Sequence, residues 1–73
     1  MTYSIFKAKL KMLGFYETDQ EYKQNLNSFR NELLHIYVYS ASNIRILKMT
    51  IKGDIQKFTS YIKALNFIIN IDK

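Results

Sequence analysis

Two runs rich in β-branched and aromatic residues, Leu33 to Tyr39 and Ile44 to Lys52, are separated only by Ser40-Ala41-Ser42-Asn43. Such a pattern marks a β-hairpin, and any fold of this chain has to be built around it. Successive side chains of a strand point to opposite faces, so Leu34, Ile36 and Val38 share one face of the first strand. The matching apolar set on the second strand is Leu47, Met49 and Ile51. A two-residue turn at Ala41-Ser42, or a four-residue loop of the same register, sets Ile36 opposite Leu47 and Leu34 opposite Met49. The reverse face then carries Leu33, His35, Tyr37 and Tyr39 beside Ile44, Ile46, Lys48 and Thr50.

The flanking segments are read by period. Phe6 to Met12 alternates apolar and charged residues, which predicts a half-buried strand with Lys7, Lys9 and Lys11 on one face. A helix there would group Phe6, Leu10 and Leu13 with Ile5 and Met12, and would put Lys9 inside that apolar arc. Gly14 ends the segment, and Thr18-Asp19-Gln20-Glu21 matches a capping box, which predicts a helix carrying Tyr22, Leu26, Phe29 and Leu33 on its buried stripe. After the hairpin, Gly53-Asp54 predicts the cap of a second helix with Ile55, Phe58, Tyr61, Ile62 and Leu65 at helical spacing. Phe67 to Ile71 reads as a final edge strand, the competing reading being a continuation of that helix.

In order these elements give β, α, β, β, α, β, a single α+β domain over residues 1–73 of the ferredoxin-like βαββαβ kind. Two helices would cover one face of a four-stranded antiparallel sheet. A helical start would give αβββα or ααββα instead. The chain has no cysteine, so stability comes from packing or from self-association, and a homodimer is one expected assembly. The start, Met1 to Lys7, lacks the apolar stretch of a signal peptide and nothing is long enough to cross a bilayer, which predicts a cytoplasmic protein, in a host cell if viral, with no membrane partner.

On that fold the helices leave one sheet face open, presenting Lys7, Lys9, Lys11, His35, Tyr37, Tyr39, Lys48 and Lys52 with the apolar Ile44 and Ile46. The net charge of +5 favours an acidic partner. Ammonium groups interleaved with tyrosines suit single-stranded nucleic acid, with lysines on phosphates and Tyr37 and Tyr39 stacked on bases. In layout the face resembles an RRM-type platform, although Ile46-Leu47-Lys48-Met49-Thr50-Ile51 has no Gly-aromatic core of the RNP1 kind. The competing expectation is protein contact through Tyr37, Tyr39, Ile44 and Ile46, either with a second copy or with an acidic protein surface. The bias toward residues with A/T-rich codons fits a phage or mobile-element protein, one that would block a host defence enzyme.

Catalysis is not expected. His35 is the single histidine and has no cysteine to pair with, so neither a metal cluster nor a nucleophile is implied. A HicA-type RNase is a remote alternative, since Leu34 precedes His35 where that family has Gly-Ser/Thr. Glu17, Asp19 and Glu21 are explained by capping, and with no glycine-rich loop to cradle a phosphate no nucleotide cofactor is expected.

Overall fold

The computed structural model describes residues 1–19, 25–40, 42–50 and 53–71, and these form two helices and one antiparallel sheet. Helix α1 spans Tyr3–Met12, and strands β1 (Tyr16–Thr18), β2 (Asn27–Arg30), β3 (Leu34–Ser40), β4 (Asn43–Lys48) and β5 (Ile55–Phe58) follow before helix α2 (Tyr61–Ile71). The strands lie side by side in chain order, β1-β2-β3-β4-β5. This is a five-stranded meander that begins and ends with a helix, in place of the four-stranded ferredoxin-like βαββαβ order.

Residues 3–12 are helical because the apolar arc centres on Tyr3, Phe6 and Leu10 and leaves Ile5 and Met12 outside it. Phe6 and Leu10 are fully buried, while Met12 is 85% exposed and Lys9 lies on the solvent side. An arc drawn through Ile5 and Met12 is what brought Lys9 into the middle. Thr2 caps the helix, its hydroxyl accepting from the Ile5 amide at 3.3 Å. At the other end Gly14 takes φ +94° and the Phe15 amide donates to the Leu10 carbonyl at 3.0 Å, with the Gly14 amide on Lys11 at 3.1 Å. Those two bonds are the Schellman closure, which needs a left-handed residue and brings Phe15 onto Leu10.

The helix expected from Thr18 to Leu33 is absent from the described part of that segment; Glu21 and Tyr22 lie outside the described residues. Thr18 ends β1, and its hydroxyl hydrogen-bonds the Ser28 hydroxyl across the ladder. Phe29 enters the core from β2, whereas Leu26 is 77% exposed. The cause is local polar competition. Asn25 donates to the Asn27 carbonyl at 3.0 Å, and the Asn31 side chain accepts from the Leu33 and Leu34 amides at 2.9 and 2.8 Å, building the β2–β3 turn.

Residues 55–58 pair with β4 as a strand, so the second helix starts later than Asp54 predicted. Its cap is Ser60, whose hydroxyl accepts from the Lys63 amide at 3.2 Å. Tyr61, Ala64, Leu65 and Ile68 make its buried stripe, and the helix runs on to Ile71, so Phe67 to Ile71 is helix and not an edge strand.

Both helices lie on one face of the sheet. Phe6 and Leu10 of α1 and the α2 stripe meet Phe29, Leu34, Ile36, Val38, Ile44 and Ile46 of the sheet in one cluster. Phe6 stacks on Tyr61 with centroids 4.7 Å apart, joining the two helices. Full burial of an aliphatic or aromatic side chain contributes about 1.5–3 kcal/mol, which makes this layer the main source of stability.

The hairpin register differs from the expected one by a single residue, and the reason is local. Ser40 pairs with Asn43, the two-residue connection the sequence suggested, but the ladder shifts between Val38 and Ser40. Beyond that bulge Val38 faces Ile44, Ile36 faces Ile46 and Leu34 faces Lys48. An extra residue in one strand exchanges the two faces of its partner. Ile44 and Ile46 therefore enter the core, while Leu47 moves to the opposite side.

Candidate functional site

The face of the sheet turned away from the helices carries two complete cross-strand rows. One runs Tyr16, Arg30, His35, Leu47, Ile55 and the other Thr18, Ser28, Tyr37, Arg45, Lys57, each residue opposite the next on the neighbouring strand. Arg30 and Arg45 are the chain's only arginines. The rows hold three cationic side chains and no carboxylate.

Two acidic groups near the sheet, Glu17 and Asp54, are engaged on its other side. Glu17 takes Lys7 at 2.8 Å and Lys11 at 3.4 Å, tying β1 to α1, and these cations with Asn27 hold its carboxyl below the usual range. Asp54 stands 3.9 Å from the Lys48 ammonium.

Among the described residues no helix covers the centre of this face, yet His35 is 2% and Tyr37 3% exposed. The two rings stack with centroids 4.3 Å apart at 22°, and the Tyr37 hydroxyl shares a hydrogen bond of 3.1 Å with His35 Nδ1. Burial, reinforced by the positive charge of Arg30, pushes the His35 pKa down and favours the neutral ring. His35 Nε2, Arg30 Nε and Arg45 Nε are buried and have no hydrogen-bond partner among the described residues. The Arg45 guanidinium also sits over the Tyr39 ring.

Of the residues singled out from sequence, His35, Tyr37 and Tyr39 are on this face. Tyr37 is part of its buried floor, so it offers no ring to a stacking base. Lys7, Lys9 and Lys11 are on α1 instead of a strand. Lys48 lies on the helix side, next to Asn66, Phe67 and Asn70 of α2, and Ile44 and Ile46 are fully buried. Lys52 lies outside the described residues.

Arg30, Arg45, Lys57 and Tyr16 belong to the face and were missed. Arg45 carried a usable signal: it shares parity with Leu47 and Met49, so the expected register would have pointed a guanidinium into the core. Arg30 had none, being placed on a helix.

The described residues contain no group of three or more His, Cys, Asp or Glu side chains able to hold a metal ion, and no helix long and apolar enough to cross a membrane. Comparison with protein-family models, with curated proteins and with solved structures finds no match.

Proposed function

We propose that the open face binds single-stranded nucleic acid and carries out no reaction on it. The observation behind this reading is the placement of both arginines with Lys57 on the two rows, without a carboxylate among them. Guanidinium forks match phosphate oxygens, and the half-exposed Tyr39 and the 57% exposed Tyr16 offer rings to bases at the margins of the basic strip. The lysines of α1 take no direct part.

Fluorescence anisotropy with labelled single-stranded oligonucleotides tests it. For single strands the logarithm of affinity changes with that of salt by about 0.7 per phosphate contacted, so three cations give a slope near −2. Arg30→Glu and Arg45→Glu should each weaken binding strongly, and Lys9→Glu should leave it nearly unchanged. Absence of binding at low salt, or binding indifferent to both arginine variants, rejects the reading.

A protein partner is the second reading. It is favoured by Ile5, Met12, Leu13, Ile62 and Ile69, large apolar residues left exposed on and beside the helices. Under it the chain would block another protein by contact, and substitutions at Met12 and Ile69, not at the arginines, would abolish its effect.

A further inference from the structure

We propose that the cleft between α1 and α2 is a docking groove for an amphipathic helical segment of another protein, one that carries carboxylates beside its apolar stripe. The groove deepens the protein-contact reading and rests on it.

The two helices run in the same direction. Phe6 stacks on Tyr61 at one end, and further along Lys9, Met12 and Leu13 meet Leu65 and Ile69 around a recess of about 170 Å³. Helical spacing carries each wall back toward the start, to Ile5 at i−4 from Lys9 and to Ile62 at i−3 from Leu65. Leu65 is buried and forms the floor, whereas Ile5, Met12, Leu13, Ile62 and Ile69 are exposed. Apolar side chains clustered in this way mark a contact surface. A partner helix meets such a groove with apolar residues at i, i+3 or i+4, and i+7, a span of about 10 Å that matches the wall from Ile5 to Met12.

Charge selects the occupant. Among the described residues the two helices carry Lys7, Lys9, Lys11 and Lys63 and no Asp or Glu. Glu17 engages Lys7 and Lys11, but Lys9 and Lys63 have no ion-pair partner among the described residues. Lys9 lines the recess itself, and Lys63 is exposed beside Ile62. A second copy would bring the same ammonium groups and no carboxylate from its helices, so pairing across the groove would set like charges together. An anionic bilayer would satisfy the charges, yet an amphipathic helix enters a bilayer by its own apolar face. Here the apolar residues of two helices line one recess, which suits an inserted side chain. An apolar helix stripe flanked by Asp or Glu answers both the recess and the lysines.

The test is selection of a displayed library of random peptides, each about sixteen residues long or roughly four helical turns, on the full-length chain. Recovered peptides should share apolar residues at helical spacing with Asp or Glu beside them. Fluorescence anisotropy with one labelled peptide should show binding about tenfold weaker for Met12→Glu and for Ile69→Glu, and unchanged for Arg30→Glu. Met12 and Lys9 are exposed, so their variants keep the fold, which circular dichroism checks. A peptide with its carboxylates replaced by lysine should lose binding to the wild type and regain it on Lys9→Glu.

Peptides that bind wild type and the groove variants alike overturn the groove and leave the protein-contact reading standing. Recovery of no peptide also overturns it. Two further outcomes do the same by naming another occupant: binding to phosphatidylserine vesicles in place of peptides, or a dimer in sedimentation equilibrium that Met12→Glu dissociates.

Discussion

The guanidinium carbon of Arg45 stands 4.9 Å from the centroid of the Tyr39 ring, and the two meet because Tyr39 is the residue that β3 carries in excess at its bulge. A double-mutant cycle with Tyr39→Ala and Arg45→Ala should give a coupling of about 0.5–1 kcal/mol in denaturant unfolding, the usual worth of a partly exposed cation–π pair. Tyr39→Phe should keep most of it, since the ring face and not the hydroxyl makes the contact. Zero coupling would show that the two side chains are adjacent without attraction.

Phe6 is the residue that joins α1 to α2 through Tyr61. Phe6→Ala should cost about 3–5 kcal/mol, as large-to-small changes at fully buried aromatic positions do, and this rivals the whole stability of a small domain. Urea unfolding followed by circular dichroism measures it. Ile5→Ala, on the exposed side of the same helix, should change stability little.

Gly14 has φ +94° and nothing within 4 Å of the position its Cβ would take. Gly14→Ala therefore tests backbone conformation without a clash, and it should destabilise by about 1–2 kcal/mol because an L-residue is forced into the left-handed region. Gly14→Asn should recover part of the loss, since asparagine tolerates that region better. Thermal melts of the two variants side by side give the comparison.

Acid should destabilise the protein in two windows. The folded state lowers the pKa of His35, so below the ordinary value of 6.5 the unfolded chain takes up a proton that the folded one resists. Stability from this source is complete above that value and declines as pH falls toward the folded pKa. Among the described residues, the charged or titratable groups facing the ring are Arg30 and Tyr37, and His35→Gln should remove the dependence. Glu17, whose pKa is lowered by Lys7, Asn27 and Lys11, loses its contribution further down, as pH falls below 4.5 and through its folded pKa. That second effect is exposed to solvent and should fade in high salt. Chemical denaturation at stepped pH resolves the two.

Strand β3 is the part of the molecule most legible in the sequence, because its period of two separates Leu34, Ile36 and Val38 from His35 and Tyr37 without help from neighbours. β4 needed a partner to be oriented, and a bulge at Tyr39 reversed the answer while the expected Ser40–Asn43 turn was kept. The remaining errors have separate causes. β1 and β2 span three and four residues, too short for any period to show. In α1, the half-buried Tyr3 had to be counted for the arc to centre correctly. The strand residues Ile55 to Phe58 do not alternate, since Ile55 shares a face with Lys57 and Gln56 with Phe58, so the helical period carried on through them and only Ser60 marks where strand gives way to helix. The site inherited these errors: its floor of His35 and Tyr37 was readable, whereas its arginines depend on register and on pairing across strands distant in sequence.

The position of α1 and α2 at opposite ends of the element order also has a consequence during synthesis. Each strand of the meander pairs with the one made just before it, so the sheet can assemble from local contacts while the chain is still emerging. Its apolar face, however, is only partly shielded by α1 until Tyr61, Leu65 and Ile68 arrive. In that interval a nascent chain displays Ile36, Ile44 and Ile46 to its surroundings, a window in which a ribosome-associated chaperone or a neighbouring copy competes with α2 for the same surface.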